Sequence, residues 1–171
     1  MSIIKHKEQH VAVLMDVQNM YHSAKNIYGA RVNFKEVLKT AVADRKLIRA
    51  IAYVISTETP EEKTFFDALV KTGLEIKSKD LQVFAGGMKK GDWDVGIAVD
   101  AIKLADRMDA IILVTGDGDF VPLVEYLKIN KGVQTEVIAF AESSSAKLIE
   151  VIDDFVDLSK DKKRYLIKTR K

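Results

Sequence analysis

The sequence predicts a single α/β domain, a three-layer Rossmann-like sandwich around a mostly parallel central sheet. Strand-sized apolar runs alternate with segments of helical period, as βα units do. The runs Val11 to Met15 and Ala110 to Thr115 are apolar almost throughout, the pattern of strands buried on both faces. At 171 residues, with no internal repeat and no Pro- or Ser-rich break, the chain suits one core.

Element by element, strands are predicted at Val11 to Met15, Leu47 to Ile55, Ala110 to Thr115 and Thr135 to Phe140. Asn33 with Glu36, and Thr59 with Pro60 and Glu62, read as capping boxes that open helices. The second of these helices carries Phe65, Phe66, Leu69 and Val70 on one stripe and stops near Gly73. Leu74 to Ser78 and Leu81 to Phe84 read as a short strand pair around Lys79 and Asp80, before a bend at Gly86 and Gly87. A helix begins near Asp94, since Val95, Ala98, Val99, Ile102 and Ala105 recur at helical spacing, and ends around Met108. Gly116, Asp117 and Gly118 form a tight turn before a helix opened by Asp119 with Pro122 in its first turn, and a last helix starts within Ser143 to Ser145.

Composition narrows the chemistry. With 47% hydrophobic and 30% charged residues the chain is neither disordered nor low-complexity. Its lack of cysteine excludes disulfides, thiol nucleophiles and Cys-bound zinc, so a metal must be held by oxygen or His. His6, His10 and His22 show no metal-ligand spacing and read as surface residues. No run approaches the ~20 apolar residues of a membrane span. Met1 to His10 has no secretory pattern either, so a cytoplasmic location and no membrane partner are expected. The net charge of +2 hides an asymmetry: residues 159–171 hold seven Lys and Arg against Asp161 alone, which leaves the rest at −4. Such a tail reads either as a solvated chain end or as an arm for phosphate backbones. Tyr165, Leu166 and Ile167 offer it a way to pack on the body.

The candidate site is acidic. The first strand runs into Asp16, with Asn19 one turn further on, and the strand Ala110 to Thr115 delivers Asp117 and Asp119 at an equivalent end. If those strands are neighbours, Asp16, Asp117 and Asp119 converge, and Asp94 adds a fourth carboxylate if its helix begins on the same side. Two unit charges 4 Å apart repel by ~4 kcal/mol at an effective dielectric of 20, a strain that a divalent cation relieves. Such a metal activates water for attack on a phosphodiester, with no side-chain nucleophile, while Asn19 and Thr115 orient the surrounding water or phosphate. The bland reading of each Asp is a helix cap or Asx turn. Asp92 and Asp100 are poorer candidates; Asp100 lies roughly 240° around the helix from Asp94.

Three blocks in the same order carry a family resemblance: Asp16-Val17-Gln18-Asn19; Lys90 to Val95 with Ala98-Val99-Asp100; and Thr115-Gly116-Asp117-Gly118-Asp119-Phe120. They resemble the NYN domains, in the LabA-like branch of the PIN-like nuclease superfamily, over Val11 to Leu158. The resemblance implies a domain over residues 1–158 with a basic tail over 159–171, and a PIN-like sheet in the order 3-2-1-4-5. It implies a Mg²⁺- or Mn²⁺-dependent ribonuclease in which Asp16, Asp94, Asp117 and Asp119 bind metal beside Asn19 and Thr115. No acid follows the second strand, as one does in many PIN domains.

The function expected is a metal-dependent nuclease of single-stranded RNA, with DNA as a second substrate class and a homo-oligomer left open. Lys89 and Lys90 could hold its phosphates and Trp93 stack on a base, although a lone Trp more often packs. The alternative from another class is a non-catalytic RNA-binding or regulatory scaffold on the same fold. A haloacid-dehalogenase-like phosphatase needs an acid at position 18, where Gln stands. An EF-hand from Asp117 fails at Pro122 and Lys128.

Overall fold

The computed structural model describes residues 3–87 and 89–168, with Lys89 and Lys90 described in their backbone only. In chain order the elements are β1 (His10–Asp16), α1 (Val17–Tyr28), β2 (Ala30–Val32), α2 (Phe34–Val42), β3 (Lys46–Ser56), α3 (Pro60–Thr72), β4 (Glu75–Asp80), β5 (Gln82–Val83) and β6 (Lys89–Lys90). There follow α4 (Asp94–Ala105), β7 (Ala110–Val114), α5 (Val121–Asn130), β8 (Gln134–Ala139), α6 (Ala146–Val151), β9 (Asp154–Asp157), α7 (Lys162–Tyr165) and β10 (Leu166–Lys168). Six strands form one parallel sheet in the order β4-β3-β1-β7-β8-β9. Numbered along the chain, these strands keep the expected order 3-2-1-4-5, with a sixth, β9, added beside the fifth.

Residues 11–15 of β1 and 110–114 of β7 are at most 1% exposed. Successive side chains of a strand point to opposite faces, so burial of all of them demands cover on both sides. That cover is helical: α2 packs on α3 and α7, and α5 packs on both α4 and α6. The outer strand β4 carries Lys77, Lys79 and Asp80, charges that suit an edge exposed to water.

Several local expectations change. Leu81 to Phe84 does not pair with the strand before it. Instead β4 joins β3 in parallel, and β5 pairs with β6 as an antiparallel ribbon across Gly86 and Gly87, both at positive φ. Asn33 caps α2 as expected, accepting from the Glu36 N–H, but Thr59 makes no side-chain cap. Glu62 reaches past it, accepting from the Thr57 and Glu58 N–H groups and the Ser56 and Thr57 hydroxyls. Asp119 does not open the helix after β7. Asp117 caps a 3₁₀ turn over Gly118–Phe120, and α5 begins only at Val121. Ser145 caps α6, within the expected window.

The basic segment after Leu158 is docked through residue 168. Tyr165 is buried, its hydroxyl shares a 2.6 Å hydrogen bond with Thr40, and its carbonyl accepts from the Asn33 N–H. Arg164 pairs with Glu36 at 2.9 Å, and β10 pairs antiparallel with β2. Packing on the body through Tyr165 is thus observed, while residues 169–171 of the tail, with Arg170 and Lys171, lie outside the described residues.

Where the chain enters β3, Arg45 and Glu136 form a buried pair, with two guanidinium–carboxylate bonds of 2.8 and 2.9 Å. Arg45 also donates to the Ala41 and Val42 carbonyls at the end of α2, and Gln134 donates to Glu136. Free carbonyls at a helix C-terminus are ordinary partners for a cation.

Candidate metal centre

The pairing of β1 with β7 sets the site. Met15 lies opposite Val114, so the next residues, Asp16 and Thr115, emerge side by side at the carboxyl ends of the two central strands. Asp16 also caps α1, with Oδ1 accepting from the Asn19 N–H at 3.4 Å. Its Oδ2 accepts from the Thr115 hydroxyl at 3.2 Å, and that hydroxyl oxygen accepts from the Asp117 N–H. Asn19 closes the frame, its side-chain oxygen accepting from the Gly116 N–H at 3.0 Å. Asp16, Asn19, Thr115 and Asp117 thus form one hydrogen-bonded unit spanning two strand ends 99 residues apart in sequence.

Gly116 and Gly118 are there for close approach. A Cβ on Gly116 would stand 3.0 Å from the Ser144 Cα, and one on Gly118 would stand 2.7 Å from the Ser145 Oγ. The Ser145 N–H donates to the Gly116 carbonyl, so the loop after β8 lies flat against the acidic turn.

Asp94 arrives from α4, whose start is set by Trp93. The indole N–H donates to the Val54 carbonyl at 2.8 Å, and the ring packs on Gly96, where a Cβ would meet it at 2.5 Å. Tyr53 flanks the ring and Lys79 lies 4.7 Å above it. The partly buried indole is thus packed and hydrogen-bonded beside the start of α4. The Lys89 and Lys90 side chains lie outside the described residues.

One carboxylate oxygen each from Asp16, Asp94 and Asp117 lies within 4.8 Å of the others. Among the described residues no Lys, Arg or His forms an ion pair with any of the three. Burial pushes the Asp16 carboxyl up to about 6, against the bonds from Asn19 and Thr115. Asp94 is pushed up to about 7, first by burial and then by the charges of Asp117, Asp92, Asp16 and Asp119. Protons bind where negative charge is crowded and poorly hydrated, and a cation would meet the same need.

Of the four acids expected, three share the cluster. Asp119 instead lines an adjoining apolar groove that runs from Asp94 between α4 and α5. Asp92, a poorer candidate on sequence, lines the cleft and makes an Asx turn into α4, its Oδ1 accepting from the Asp94 N–H. An Asp two residues before a helix start is an Asx-turn signal that could have found it. Asp100 faces away as expected, bonded to Tyr53 and Lys77. The cleft, of about 390 Å³, is walled by α1 through Asn19, His22, Ser23 and Asn26. These fall at i, i+3, i+4 and i+7, so a polar helical stripe already placed His22 beside Asn19.

A family profile described as NYN domain matches residues 10–159. The chain is 26% identical over 170 residues to the low amplitude and bright protein LabA of Synechococcus elongatus, covering 94% of this chain and 89% of that one. It is similar in structure to VPA0982, a protein of unknown function from Vibrio parahaemolyticus, with a TM-score of 0.87 and 32% identity. That match covers 96% of this chain and all of the other.

Proposed function

This chain belongs to the NYN-domain family, within the PIN-like nuclease superfamily, and from that premise we propose that it hydrolyses phosphodiester bonds of single-stranded RNA in a metal-dependent reaction. The observation that carries the reading is the group of three carboxylates within 4.8 Å, two of them with raised proton affinity. Its donors are all oxygen, which suits Mg²⁺ or Mn²⁺ over softer metals. Asp16, Asp94 and Asp117 would hold the ion, which when bound activates water and offsets charge on the phosphodiester.

The chain's own residues do the rest. Thr115 and the Asn19 N–H each occupy one Asp16 oxygen, which holds the carboxylate in one orientation and leaves lone pairs for a ligand. Trp93, locked to Val54, fixes the first turn of α4 and hence Asp94. The cleft wall of Asn19, His22, Ser23 and Asn26 offers donors and acceptors to a ribose and its 2′-hydroxyl. Asp119, outside the cluster, is assigned to the approach from the α4–α5 groove.

The test is cleavage of labelled single-stranded RNA with Mn²⁺ by the wild type, Asp16→Asn and Asp117→Asn, with DNA of the same sequence alongside. Both variants are expected to lose at least ~100-fold, the scale of removing a group that acts on charge in the transition state. Equal cleavage by all three proteins overturns the reading. RNA binding without cleavage by the wild type points to the scaffold alternative.

A further inference from the structure

Outside its C-terminal segment the chain is net acidic and its cleft is lined by carboxylates, so attraction for a polyanion must come from elsewhere. The fold places the basic segment where it can supply it. The cleft that holds Asp16 is also lined by Asn26 and Ile27, in the last turns of α1, and by Ser143. Next to Ile27, the Tyr28 hydroxyl donates to Glu142 at 2.8 Å, beside Ser143. Lys162 of α7 stands over the Tyr28 ring, 4.9 Å from its centre. Lys168 pairs across from Ala30, two residues beyond Tyr28. Lys162 thus stands over the residue that follows Ile27 of the cleft wall, and Lys168 lies on the strand paired with the next element of the chain. The axis of α1 rises roughly 18 Å between Asp16 and Tyr28, a span of a few nucleotides.

We propose that Lys162, Lys163 and Lys168 form a fixed shelf for the RNA phosphate backbone, engaging the strand a few nucleotides from the phosphate that lies at the acids. This rests on the nuclease reading of the cleft. Arg164 is spent on Glu36, and Lys160 stands near Asp157, whose carboxyl it helps hold below the ordinary range. The three remaining lysines are exposed and have no carboxylate partner among the described residues. Tyr165 buried against Thr40 and β10 paired with β2 hold their backbone, so binding orders little beyond the lysine side chains. Lysine is a point charge that suits phosphates read without regard to sequence.

The experiment uses the full chain in an Asp16→Asn background, where cleavage does not interfere. Binding of a fluorescein-labelled 20-nucleotide oligouridine is followed by anisotropy across a salt series. Lys162→Gln/Lys163→Gln/Lys168→Gln is compared with Lys63→Gln/Lys71→Gln on α3, and melting curves confirm that each variant folds. The shelf triple is expected to bind at least ~10-fold more weakly, with the slope of log K against log salt reduced by about 2, at ~0.7 for each phosphate no longer neutralised. With Asp16 restored, the triple should raise KM for the long RNA and leave cleavage of a tetranucleotide within about twofold. An unchanged slope, an equally large weakening in the α3 control, or no RNA binding by the parent overturns the shelf. A slope change in a protein that never cleaves RNA retains the shelf and sinks the nuclease reading. Cleavage with no slope change does the reverse.

Discussion

Glu136 and Asp16 are both carboxylates buried in one parallel sheet, 1% and 8% exposed, and the fold treats them in opposite ways. Glu136 receives a bidentate guanidinium from Arg45, a bond from Gln134 and Lys5 at 3.6 Å. Asp16 receives a hydroxyl and a backbone N–H, and its charged neighbours in the cluster are two more acids. A chain that can bury an arginine to neutralise one carboxylate has left another group of three in deficit. The difference separates a charge balanced within the fold from one that the proposed metal would balance.

The comparison breaks most visibly at Arg45. Arg45→Met strands Glu136 and is expected to cost about 3 kcal/mol, the low end of the 3–5 typical for a broken buried pair because Lys5 remains nearby. Urea unfolding measures it, and Arg45→Met/Glu136→Leu should recover most of the loss. At the other site the expected sign is opposite. Mn²⁺ at 100 times its dissociation constant should stabilise the wild type by about 2.7 kcal/mol and leave an Asp16→Asn/Asp117→Asn protein unmoved, as read by thermal melts with and without chelator.

Proton linkage gives the next effect. Asp16 has a folded pKa of about 6 against an ordinary 3.8, so between those values the folded state binds the extra proton. Its favourable contribution is full at low pH and lost as pH rises through 6; Asp94, at about 7, has the same sign. In chelator at pH 8, Asp16→Asn should therefore be more stable than the wild type by about 2 kcal/mol, the gap closing towards pH 4. Asn still caps α1, so the helix start is kept. A gap of the opposite sign would mean that the cluster is already neutralised. Smallest of all, Thr115→Val removes the hydroxyl between Asp16 and Asp117 and should cost about 1 kcal/mol, with a larger proportional loss of Mn²⁺ affinity.

Much of the site is legible in the sequence because its signals are local. Asp16 follows a continuous apolar strand, Gly116 to Asp119 follows another, and Asp94 starts a helix whose apolar period is plain. The differences fall where one local role hides another. Asp117 and Asp119 are equivalent as letters, yet one caps the 3₁₀ turn and joins the cluster while the other turns to the neighbouring groove. Asp92 stands before the helix rather than on it, so it obeys a turn's geometry that helical spacing does not describe. Trp93 carries two uses on sequence, and its packing on Gly96 is visible only in the structure.

The sequence by itself determined the α/β alternation, the two buried central strands, the acids at their ends and the charge asymmetry of the tail. These depend on period, composition and short spacing, which neighbouring residues encode directly. Only the tertiary structure decided that Arg45 meets Glu136 across 91 residues, that β10 closes on β2, and that Lys162 stands over Tyr28 at the end of α1. Each of these is a meeting of segments distant along the chain. It is selected by joint burial of the whole core and by pairing of backbone groups that are identical at every residue, so no local window carries its address.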